Sequence, residues 1–263
     1  MPSHLSSIGF PVHSHEDFQK IAEQAIEEGQ QIPSANGSYI LWSSESGAQL
    51  WLQLDNDNSF IGFMPYFSGQ SYMKLALTQA IERDESEGSI LEGMFRGWVN
   101  PHPSGLIEGE YPLIIDIPDF DNYRTIQLPL VVDMQVTAFA YDIEIFPSDE
   151  AYYESQDHEM KIASEAVIPI GLLTMNVEDL AQQDQDDESL YAGSQAEAAI
   201  SGHVIKTRCL TNQITNEKFH WALIQTLGGT IDVVLDSELA EGLEIGSVIY
   251  GVFWVCGRII YYQ

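Results

Sequence analysis

Five consecutive residues, His13-Ser14-His15-Glu16-Asp17, place two imidazoles and two carboxylates side by side in the chain. Those donor types suit zinc or a non-haem iron, so His13 and His15 are the candidate ligands of a metal-assisted enzyme. The same residues are also a complete helix start. Ser14 is a side-chain N-cap, Asp17 completes a capping-box pattern, and Glu16 and Asp17 sit where the helix dipole favours negative charge. His4, His102, His158, His203 and His220 stand singly. No GxSxG, Walker A, GxGxxG or HExxH pattern occurs. The structural reading of 13–17 is therefore the stronger one, no cofactor is expected, and the chain reads as a non-enzymatic protein, with a metal-dependent enzyme as the alternative.

Carboxylates are too numerous for acid–base pairs to be chosen by spacing. Asp116, Asp133, Asp142 and Glu144 differ from the rest because they interrupt apolar runs. Each lies either on an open sheet face or in a buried site that raises its pKa, and alternation puts Asp142 and Glu144 on the open face. Asp184, Asp186, Asp187 and Glu188 form an acidic run without the glycine and terminal glutamate of an EF-hand. They are the candidate contact for a basic partner protein.

Near the C-terminal end, Phe219 and Trp221 alternate within a strand-like run, with Lys206, Arg208 and Arg258 near by in the pattern. Such a set could stack single-stranded nucleic-acid bases over a basic groove. Charge argues against it. The chain has 40 Asp and Glu against 10 Lys and Arg, a formal net charge of −30, and a polyanion needs cations to neutralise its phosphates. Nucleic acid and anionic membrane surfaces are thus disfavoured partners. The acidity is also uneven. From Glu197 onward there are seven acidic and four basic residues, so 33 acidic and six basic residues precede it.

Phe18, Ile21, Ala22, Ala25 and Ile26 follow one helical stripe between Ser14 and Gly29. A short strand over Ile8–Val12 is predicted before that helix. Strands Tyr39–Ser43, Ala48–Leu54 and Phe60–Met64 follow it, and Tyr72–Ile81 reads as a second helix. Further strands are predicted at Tyr111–Ile117, at Leu130–Phe146 and, returning beside the latter, at Ile162–Leu173. The βαβββ order of residues 8–64 resembles one module of the vicinal-oxygen-chelate, glyoxalase-like fold. That resemblance implies paired modules with His and Glu metal ligands on facing strands. Here Phe60–Met64 carries no carboxylate and no second module follows.

Strand-like runs at Gly202–Thr211, Lys218–Leu227, Thr230–Leu235 and Val248–Tyr262 suit a small OB-like or SH3-like β-barrel. The predicted class is α+β: a mainly antiparallel acidic domain with two helices over 1–176, an acidic linker over 177–199, and the barrel over 200–263. Cys209 and Cys256, 47 residues apart, are expected as buried reduced thiols. With no secretory signal and no long apolar run, the expected compartment is the cytoplasm. The expected activity is protein–protein contact of the inhibitor or immunity kind.

Overall fold

A computed structural model describes residues 4–83, 88–157, 161–173 and 195–262. Asp184, Asp186, Asp187, Glu188 and His158 lie outside the described residues. Among the described residues the fold is mostly β with two helices. A four-stranded antiparallel sheet covers one face of a nine-stranded mixed sheet, and a shared apolar cluster joins the two.

Helix α1 (His15–Glu28) starts as its sequence dictates. The Ser14 hydroxyl accepts from the Asp17 amide at 3.1 Å, and the Asp17 carboxylate accepts from the His13 amide at 3.3 Å. Ile21, Ala22 and Ala25 are buried, whereas Ile26, on the predicted stripe, is 44% exposed. Strands β1 (Gln30–Pro33), β2 (Ser38–Ser43), β3 (Ala48–Leu54) and β4 (Phe60–Phe67) then pair in sequence order. No strand forms at residues 8–12, where a 3-10 turn at Ser6–Ile8 ends on Gly9 at φ 80°. All four strands of this sheet therefore follow the helix, and the leading strand of the glyoxalase-like pattern is missing.

The predicted helix over Tyr72–Ile81 is instead β5 (Met73–Glu82). Met73, Leu75 and Leu77 point into the core, and Ala76 is buried as well. Leu75, Ala76 and Leu77 are buried in a row while Lys74 is exposed, and that apolar run with Ala80 beyond it mimics helical spacing. Strands β6 (Gly93–Val99), β7 (Tyr111–Asp116) and β8 (Leu130–Phe146) follow, then the second helix, α2 (Asp149–Ser155). Strand β9 (Ala166–Pro169) pairs with β10 (Glu197–Thr211), not with β8 as predicted. Strands β11 (Lys218–Thr226), β12 (Gly229–Asp236) and β13 (Val248–Tyr262) complete the sheet.

Strands β8 and β13 form its seam, pairing antiparallel from Phe146 opposite Val248 to Val132 opposite Tyr262. The other edge of β8 is shared between β5 and, in parallel, β12. The other edge of β13 is shared between β7 and β10. Two circuits of pairing result, β8–β12–β11–β10–β13 and β8–β5–β6–β7–β13. The residues predicted as a terminal barrel are thus continuous with strands from before residue 177.

Asp232 fastens this arrangement to the covering sheet. It is fully buried, and four donors reach its carboxylate: the amides of Gln70 and Ser71 at 2.9 and 2.8 Å, Gln135 Nε2 at 3.0 Å and Trp221 Nε1 at 2.7 Å. The β4–β5 connection passes so close that a Cβ on Gly69 would lie 2.2 Å from the carboxyl carbon. Only glycine fits there. Removing the carboxylate takes the acceptor from the buried Ser71 amide and Trp221 indole and one of the acceptors of Gln135. Asp232→Ala should lower unfolding free energy by about 4 kcal/mol. Urea denaturation measures this, and a loss under about 1 kcal/mol would refute the clamp.

Candidate functional site

Three of the chain's ten basic side chains, Arg83, Arg124 and Arg258, are held by buried aspartates. Arg83 donates to both oxygens of buried Asp116 at 2.9 Å, and Trp254 Nε1 donates to one of them at 2.5 Å. Arg258 reaches Asp119 at 3.4 Å while its guanidinium lies 4.8 Å from the Trp51 ring centre. Arg124 binds Asp121 at 2.9 Å, which also accepts from the amide and side chain of Asn36. Burial pushes the carboxyls of Asp116, Asp119 and Glu92 above their ordinary range, against the pull of the neighbouring arginines. For Asp121 burial acts the same way, but hydrogen bonds from Asn36 and Arg124 outweigh it and hold the group low.

A different surface is left acidic. Asp142 and Glu144 are exposed on the last turns of β8, opposite Val252 and Tyr250 of β13. Directly opposed residues share a sheet face, so these carboxylates stand on the outer face of the seam. α2 lies at the end of that face and adds exposed Glu150 and Glu154. Its Ser148 cap accepts from the Ala151 amide, and buried Tyr152 packs on Phe146 and Tyr250 at ring distances of 5.3 and 6.0 Å. His203 ties the segment down. Its two ring nitrogens meet Asp149 at 3.0 Å and Glu165 at 3.1 Å.

The residues singled out from the sequence divide between these places. Asp142 and Glu144 are on the open face and Asp116 is the buried member of that set, while Asp133 accepts from the Tyr72 hydroxyl at 2.8 Å. Phe219 and Trp221 are buried beneath the four-stranded sheet, against Phe67. Lys206 and Arg208 are exposed beside them on β10, but Arg258 belongs to the Trp51–Asp119 contact elsewhere. The five do not form one ligand face. His13 and His15 are exposed, and no three His, Cys, Asp or Glu side chains gather into a metal-holding group among the described residues. Cys256 is buried, but Cys209 is exposed, opposite His220 on β11.

The sequence does not single out Asp119, Asp121, Asp232, Arg83 or Arg124, and it places Arg258 and His203 without these partners. Arg124 is only three residues from Asp121, but most of the other partners are distant, up to 162 residues for Gln70 and Asp232, so no local pattern marks them.

The titrations predict a stability profile. Asp116, Asp119 and Glu92 bind protons more tightly folded than unfolded, so they favour folding at low pH and that contribution is lost as pH rises through their raised values. Lowered Asp121 acts oppositely, favouring folding above the ordinary aspartate range and losing that contribution as pH falls below it. Repulsion among the surface carboxylates also eases on acidification. As pH rises from about 4.5, just above the ordinary carboxylate range, to about 8, Tm should fall by about 5 °C, and salt should narrow the fall. Calorimetry showing a Tm indifferent to both would contradict this. No protein-family model, no curated protein and no solved structure matches the chain.

Proposed function

We propose that the chain is a non-enzymatic, cytoplasmic binding protein of the inhibitor or immunity kind, which masks a basic protein through its acidic face. The observation that carries this reading is the division of charge. Arg83, Arg124 and Arg258 are between 18 and 32% exposed and are engaged with buried aspartates. Asp142, Glu144, Glu150 and Glu154 stand exposed around the half-buried Tyr250. An aromatic patch rimmed by carboxylates suits a protein surface bearing arginine and lysine.

The circuit β8–β12–β11–β10–β13 supports reading the C-terminal strands as an OB-like small barrel completed by β8. Its aromatic residues Phe219 and Trp221 are covered, and the net charge is −30. Both features weigh against single-stranded nucleic acid as its ligand. No helix among the described residues is long and apolar enough to cross a membrane.

Affinity capture with the intact chain, followed by mass spectrometry, tests the reading. The retained proteins should be basic, and Asp142→Lys with Glu144→Lys should lose them while remaining folded. Retention of acidic proteins, or full retention by the double variant, would refute it. Metal analysis of untagged protein checks the enzymatic alternative, since stoichiometric zinc, iron or manganese would favour that one.

A further inference from the structure

The imidazole of His4 lies face to face on Trp254, with ring centres 4.2 Å apart and planes 17° apart. It meets Tyr141 and Phe139 obliquely at 5.0 and 6.1 Å. The register of the seam builds this box. Phe139 is opposite Trp254 across β8 and β13, and Trp254 is opposite Glu197 across β13 and β10. Tyr141 follows two residues after Phe139, and its hydroxyl donates to Glu197 Oε1 at 3.0 Å. Asp142 and Glu144 continue along the same strand.

His4 is a poor occupant for such a place. Its Nε2 is buried with no hydrogen-bond partner. Burial alone pushes its pKa down to about 4, so it sits there neutral. A neutral ring takes no cation–π attraction from the three aromatic faces. Two of those rings are moreover hydrogen-bonded to carboxylates, Trp254 to Asp116 and Tyr141 to Glu197, which makes their faces more electron-rich. The segment can let go without unpacking the core. Ile8 is fully buried and its carbonyl is held by Asn212 Nδ2 at 2.8 Å, so His4 can swing away while Ile8 stays anchored.

We infer that the Phe139–Tyr141–Trp254 box is a docking pocket for an arginine or lysine side chain of the partner, and that His4 fills it until that side chain arrives. This rests on the proposed masking of a basic protein and names the contact through which it would be made. Asp142 and Glu144 steer the cation toward the box, the aromatic faces hold it, and Glu197 strengthens the Tyr141 face.

The test is a titration with Nα-acetyl-arginine methylamide, with the citrulline analogue as its neutral isostere, followed by the Trp254 indole NMR signal. His4→Ala should bind the arginine probe on the order of fivefold more tightly than wild type, because the plug is gone. His4→Gln should fall between them, and Glu197→Gln should weaken binding. The citrulline probe should shift the signal little in any variant. Equal binding of both probes, or no gain in His4→Ala and His4→Gln alike, would overturn the pocket. Thermal melts confirm that the variants are folded. The captured basic protein is titrated against the same variants. If it binds wild type and all variants equally, the pocket fails while the masking reading stands. If no basic protein is captured at all, the masking reading fails whatever the arginine probe does.

Discussion

Ten basic side chains serve forty acidic ones in this chain, and that shortage sets the terms on which each buried acid is held. A carboxylate taken from water needs either a cation or a full set of donors. Asp232 takes the second course, with two amides, an indole and a carboxamide around it. Asp116, Asp119 and Asp121 take the first, each with its own arginine. Each interior arginine takes a carboxylate inside with it, so these pairs leave the acidic excess on the exterior unchanged.

The seam of β8 and β13 decides where these groups fall. Because the two strands stay paired almost throughout, their outer face is a continuous ladder of opposed residues. The four-stranded sheet covers one part of that ladder, where Gln135 and Thr137 are buried with Asp232 near by. α2 covers the far end, at Phe146. Between the two covers lie the Trp254 box and the carboxylates Asp142 and Glu144. A slip of one residue along β8 would turn Phe139, Tyr141, Asp142 and Glu144 together toward the core, so the fold fixes the surface through register.

Some of this was legible in the sequence, for physical reasons that differ by element. α1 could be read because a cap, a dipole preference and an apolar stripe are all local. The C-terminal strands could be read from glycine punctuation and alternation, and Gly228 and Gly229 do turn the chain between β11 and β12. β5 reads as a helix because Leu75, Ala76 and Leu77 are apolar in a row and break its alternation. Alternation put Asp142 and Glu144 on the open face, but nothing local could say that Arg83 would find Asp116, or that His4 would lie on Trp254. Trp221 illustrates the limit. Its place in an alternating strand was plain, while its hydrogen bond to Asp232 and its cover under Phe67 arise only when distant strands meet.

The proposed masking of a basic protein rests on the acidic face around Asp142 and Glu144. The most direct measurement is the association rate of the captured partner across ionic strength, by stopped flow. Charge steering is screened over a Debye length of about 10 Å at 0.1 M salt. The rate should therefore fall on the order of tenfold or more between about 0.02 and 0.5 M salt, with dissociation changing far less. An association rate that stays within about twofold over that range would contradict the account.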